Sequence, residues 1–110
     1  MQTVVIGASG FIGSHLVDGL LQSGHRVKAL ARHLPGLIPE TAQLHPGLSL
    51  IPLDIADGLA LQEAIEGADV LFHLASGSLP QSSNRDPQAD VQVNLLGALK
   101  LLEAARQGQV

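Results

Sequence analysis

The chain has 110 residues, 45% of them hydrophobic and 15% charged, with a formal net charge of −4. That length suits one small globular domain or part of a larger one, and the apolar content excludes a disordered chain. The acidic balance gives no electrostatic case for nucleic acid or an anionic membrane, and the absence of cysteine excludes disulfides and thiolate metal sites.

Phe11 and Phe72 are the only aromatic residues, so the core must be built from Leu, Ile, Val and Ala, which suits helices stacked on a parallel sheet. No apolar stretch approaches the roughly 20 residues of a membrane span, and residues 2–6 enter a strand with no basic leader, so a cytoplasmic protein is expected. The histidines at 15, 25, 33, 45 and 73 show no ligand spacing and read as surface or loop residues, with no metal site expected.

Thr3–Ile6 reads as the first strand. It runs directly into Gly7-Ala8-Ser9-Gly10-Phe11-Ile12-Gly13, after which residues 14–21 continue with helical spacing. A strand, a glycine-punctuated turn and a helix N-terminus together make a site for a dinucleotide pyrophosphate. In this pattern Gly7 permits the tight turn, Gly10 leaves the backbone bare where phosphate oxygens approach, and Gly13 lets the helix lie close to the strand. The spacing is G-x-x-G-x-x-G, with Ser9 where the commoner G-x-G-x-x-G has its second glycine. A Walker-type loop is excluded, because Gly13 is followed by Ser14 and His15 with no lysine.

Gly24 ends the first helix, and Arg26–Ala31 reads as strand two. Leu34-Pro35-Gly36, Pro39 and His45-Pro46-Gly47 favour loop, with a short helix around Glu40–Leu44. Leu48–Leu53 is strand three, and Pro52, which cannot donate to a ladder, places it at a sheet edge. Asp57 caps a short helix through Leu61, Ala64 and Ile65 that Gly67 closes. Val70–Leu74 is strand four, and residues 76–85 are loop. Asp86-Pro87 opens the longest helix, in which Val91, Leu95, Ala98, Leu99, Leu102 and Ala105 are expected to form one buried face, ending at Gly108. The alternation predicts an α/β fold: a Rossmann-type doubly wound parallel sheet in the order 3-2-1-4, incomplete, with strand four exposed at its edge. Residues 1–110 are accordingly expected to be a fragment of a larger dinucleotide-binding domain.

With these residues in place, the chain resembles the extended short-chain dehydrogenase/reductase family, of NAD-dependent epimerase/dehydratase type. The segments that carry the resemblance are Val4–Gly13, Leu53-Asp54-Ile55, Val70–Ser76 and Asn94-Leu95-Leu96-Gly97 followed by Leu101–Ala105. The resemblance implies that Ser9, Gly10, Phe11, Ile12 and Gly13 bind the pyrophosphate and that Asp54 accepts from the adenine amino group, with Ile55 against the ring. It further implies that Leu74, Ala75 and Ser76 pass the ribose near the nicotinamide, and that Asn94 faces the same crevice from the long helix. NAD-binding members usually carry Asp or Glu near the end of strand two. Here Ala31 stands in that region and Arg32 follows, offering a guanidinium fork to a 2′-phosphate, so NADP is favoured over NAD.

Members of that family use a Tyr-x-x-x-Lys pair for proton transfer. This chain has no tyrosine, so no catalytic residue is assigned and the chain alone is expected to be inactive. The resemblance implies a parent that acts by hydride transfer on a nucleotide sugar or similar hydroxyl or carbonyl substrate. A carbonyl reductase of the same family that uses NADPH, a non-catalytic NAD(P)-sensing module, and an interaction unit forming a homo-oligomer through its exposed strand remain open at this point.

Overall fold

Val4, Val5 and Ile6 are β-branched and fully or almost fully buried, as expected of a central strand covered on both faces. The structure, a computed structural model, describes residues 1–74, 97–108 and 110. Its strands are β1 (Gln2–Ile6), β2 (Arg26–Ala31), β3 (Leu48–Pro52) and β4 (Val70–His73); its helices are α1 (Phe11–Gln22), α2 (Glu40–Gln43), α3 (Gly58–Ile65) and α4 (Gly97–Gln107). The four strands form one parallel sheet in the order β3-β2-β1-β4, as the alternation of elements predicts. Ile6 lies level with Leu30 on one side and His73 on the other, and Leu30 with Ile51, so the four strands end nearly in line.

Period-two alternation divides the strand side chains between two faces. Val5, Val27 and Ala29 meet Val17 and Leu21 of α1, together with Ile38 and Ala42. Val4, Ile6 and Leu30 meet Leu61, Ala64 and Ile65 of α3, together with Leu101 and Ala104 of α4. Burying a side chain such as Leu30, Leu61 or Ile65 contributes about 1.5–3 kcal/mol, so this two-sided layer supplies much of the driving force for folding. Lys28 points to the α3 face; its stem crosses the layer and Nζ donates to the Ala64 carbonyl at 3.0 Å, satisfying a free acceptor at that helix end.

The punctuation works as the residues suggest. Gly24 has φ +87°, its N–H donates to the Leu21 carbonyl, and His25 N–H reaches back to Leu20, which closes α1. The Asp57 side chain caps α3 by accepting from Ala60 N–H at 3.2 Å, and Gly67 turns with φ +79°. Pro52 ends β3, which is an edge strand of the sheet.

One expected face is corrected. Leu99 and Leu102 are 53% and 66% exposed; among the described side chains of α4 the buried ones are Leu101 and Ala104, with Ala105 half-buried. Residues 98–105 carry apolar side chains at adjacent positions, so two stripes satisfy helical spacing equally well. The surface of α3 selects the one through Leu101. Asp86–Pro87, Val91 and Leu95, also assigned to this helix, lie outside the described residues, as does the side chain of Ala98.

Candidate functional site

The carboxyl end of β1 delivers the chain into the glycine turn. Gly7 adopts φ +85°, a conformation that L side chains rarely take, and this lets the chain leave the sheet abruptly. Gly7 N–H and Ala8 N–H both donate to the Leu30 carbonyl, at 2.9 and 3.3 Å, which ties the turn to the end of β2. A Cβ on Gly13 would lie 2.2 Å from Gly7 O and 2.9 Å from Ala8 Cα, so α1 approaches the turn more closely than any other residue type allows.

Gly10 plays a different part. It is the N-cap of α1 with extended backbone, it caps with no side chain, and a Cβ there would come no closer than 3.8 Å to any atom. The turn does not need a glycine at this position for its own packing; the missing side chain leaves open space in front of the helix. Ser14 N–H closes the first helical bond, to Gly10 O. The amides of Phe11, Ile12 and Gly13 therefore have no acceptor among the described residues. Phe11 and Ile12 are both about two-thirds exposed or more, and the first turn contains no carboxylate to compete for these donors. Three free N–H groups at the positive end of a helix dipole, behind a bare glycine, make a cradle of the right chemistry for a pyrophosphate. The Ser14 hydroxyl is buried and donates to the Phe11 carbonyl at 2.9 Å, holding that first turn in shape.

The other expected site residues gather along the same sheet edge. Arg32 follows the end of β2, is exposed, and has no side-chain partner among the described residues. Asp54 follows β3; its Oδ1 accepts from Ala56 N–H at 2.9 Å and its carbonyl accepts from Asp57 N–H at 2.9 Å, so it builds the turn into α3. Oδ2 of Asp54 makes no bond among the described residues, and Ile55 packs half-buried against the α3-side core. Leu74 extends β4, its N–H donating to Ile6 O at 2.8 Å. Neighbouring strands lie about 4.8 Å apart, so the ends of β1 and β3 are separated by about 10 Å. Ala75, Ser76 and Asn94 lie outside the described residues.

The sequence pattern gives no notice of residues 34–38. Leu37 N–H donates to the Ser9 carbonyl at 3.0 Å, Ile38 is buried with Ala8 in the α1-side core, and Gly36 lies directly on Ser9. Pro35-Gly36 marks a turn in the sequence, but its docking partner is 27 residues upstream. No set of three or more His, Asp or Glu side chains among the described residues is arranged to hold a metal, and no described helix is long and apolar enough to cross a membrane.

Residues 3–110 match the family model for the NAD dependent epimerase/dehydratase family. The chain belongs to that family. UDP-glucose 4-epimerase from Mycolicibacterium smegmatis is 39% identical over 109 residues, covering 96% of this chain and 35% of the relative. A 3-beta-hydroxysteroid dehydrogenase from Mycolicibacterium neoaurum is 32% identical over 115 residues, covering 99% of this chain and 30% of the relative. Among solved structures, the UDP-glucose 4-epimerase of Thermus thermophilus in complex with NAD superposes with a TM-score of 0.83 at 35% identity, over 100% of this chain and 35% of that one. The chain thus spans about a third of the length of these family members, and its sheet is the Rossmann-type sheet of the epimerases.

Proposed function

We propose that the chain is the N-terminal cofactor-binding part of an epimerase/dehydratase-type oxidoreductase, whose parent acts by hydride transfer on a nucleotide sugar or a similar hydroxyl or carbonyl substrate. The observation that carries this is the row of amides at Phe11, Ile12 and Gly13 that have no acceptor among the described residues, opening behind Gly10 at the carboxyl end of the central strand. Family membership and the NAD complex of the Thermus thermophilus relative support a nicotinamide dinucleotide as the ligand.

In this proposal the first turn of α1 holds the pyrophosphate through those amides, Ser9 and Gly10 line its approach, and Asp54 with Ile55 receives the adenine through Oδ2 and the apolar side chain. Leu74, with Ala75, Ser76 and Asn94, borders the nicotinamide half. When bound, the dinucleotide supplies the hydride acceptor or donor. This chain contributes binding and orientation; its composition includes no tyrosine for the family's Tyr-x-x-x-Lys proton transfer.

Arg32 favours NADP. It is an exposed cation without a described partner, immediately after Ala31 rather than a ribose-binding carboxylate. A second reading within the family, oxidation or reduction of a hydroxyl or ketone without epimerisation, is favoured by the likeness to a 3-beta-hydroxysteroid dehydrogenase over 99% of the chain. Calorimetric titration with NADPH and NADH tests the proposal. Binding of either supports the site, and Arg32→Ala is expected to weaken NADPH more than NADH. Equal losses would remove the NADP preference; no binding of either would remove the function.

A further inference from the structure

The Ser9–Gly10 peptide is held from both sides. Its carbonyl accepts from Leu37 N–H at 3.0 Å, while its N–H points back to Gly7 O at 3.4 Å. A trans peptide is planar with C=O and N–H in opposed directions, so fixing both groups fixes the whole plane. That plane immediately precedes the free amides of α1 and sets the direction from which the chain enters the helix.

The donor at Leu37 is itself seated firmly. Ile38 is 3% exposed in the same core cluster as Ala8, Leu34 packs against that cluster, and Ile38 N–H bonds to Pro35 O at 3.1 Å. Between them Gly36 takes φ +56° and lies so close that a Cβ would stand 2.5 Å from Ser9 Cβ, 2.6 Å from Ser9 O and 2.8 Å from Ser9 Cα. Two of those three contacts are backbone atoms, so no rotamer change relieves them.

We infer that residues 34–38 act as a latch on the phosphate-binding turn, with Gly36 as a positioning residue for the dinucleotide through its contact with Ser9. This rests on the dinucleotide function proposed above. The latch follows Arg32 in the chain, so one segment joins the residue proposed above to select the cofactor to the peptide that precedes the pyrophosphate donors.

Gly36→Ala separates this role from mere turn geometry when set beside Gly24→Ala. Gly24 also has positive φ, at +87°, but a Cβ there meets nothing within 4 Å. Both variants suffer backbone strain; only Gly36→Ala displaces Ser9. A shift of up to about 1 Å at a preorganised site exceeds the ~0.5 Å tolerance such sites require, so NADPH and NADH affinity should fall about tenfold or more in Gly36→Ala and hold in Gly24→Ala. Thermal melting is measured alongside. Gly36→Ala with unchanged affinity, or equal affinity losses in the two variants, overturns the latch.

Amide hydrogen exchange on the unaltered chain tests the latch even if Gly36→Ala does not fold. Saturating NADPH, or NADH if only that binds, should slow exchange at Leu37 together with Phe11, Ile12 and Gly13. Slowing of the helix amides with Leu37 unchanged overturns the latch while leaving the site intact. Failure of the unaltered chain to bind either dinucleotide overturns the function itself, and the latch's role with it.

Discussion

Gly13→Ala and Gly19→Ala make the same chemical change in the same helix and should have opposite effects on stability. Alanine is a better helix former than glycine by about 1 kcal/mol, and at the exposed Gly19 nothing lies within 4 Å of the added methyl. Gly19→Ala is therefore expected to stabilise the chain by about 0.5–1 kcal/mol. At Gly13 the methyl would sit 2.2 Å from Gly7 O and 3.0 Å from Gly7 C, so helix and turn must separate by about 1 Å to restore van der Waals contact. Overpacking of this kind destabilises by about 1–3 kcal/mol, and the upper end applies because the obstacle is backbone. Set against the propensity gain, Gly13→Ala should lose about 2 kcal/mol net, some 8–16 °C in Tm for a domain of this size. Urea unfolding followed by far-UV circular dichroism measures both. If Gly13→Ala is as stable as Gly19→Ala, the close approach of α1 to the turn is not a constraint and the reasoning fails.

Gly10→Val should leave the unfolding free energy within about 1 kcal/mol of wild type, since the Cβ position is open, while abolishing dinucleotide binding by calorimetric titration. A variant that still binds would show that the ligand does not approach over Gly10. Asp57→Ala removes the cap on Ala60 N–H and should cost about 1 kcal/mol in urea unfolding; no loss would mean that water replaces the bond at no cost. Glu103 accepts from Arg106 one turn on, and that bond holds its carboxyl below the ordinary 4.5. A carboxylate with a lowered folded-state pKa contributes stability above its unfolded pKa and loses it as pH falls through the folded value. NMR titration should find a midpoint below 4.5 that rises in high salt, because the pair is exposed and screened; a salt-independent midpoint would contradict the ion-pair origin.

The fold and the heart of the candidate site are legible in residues close together in the chain. Val4-Val5-Ile6 followed by Gly7 specifies a buried strand and its exit, and Gly10 and Gly13 differ in their surroundings: one leaves open space in front of the helix, the other clears space for the helix itself. Asp57 and Gly67 bracket α3 by local hydrogen bonding and backbone freedom. Ala31 is visible where a carboxylate would be usual, with the cation Arg32 directly after it. Asp54 is legible as a proposed site residue, and its two bonds to the turn into α3 show the structural task that the sequence alone leaves open.

What the amino-acid order determined by itself is therefore the set of elements and the glycine turn, which depend on interactions spanning a few residues, and the parallel sheet, which follows from the strand–helix alternation and the right-handed crossovers it imposes. The tertiary structure decided which side of α4 is buried and what braces Ser9. Leu99 and Leu102 satisfy helical periodicity as well as Leu101 and Ala104 do, and only the shape of α3 distinguishes the two stripes. Gly36 reaches Ser9 across 27 residues of chain, and such a contact leaves no periodic trace because it arises when the end of β2 is laid beside the end of β1.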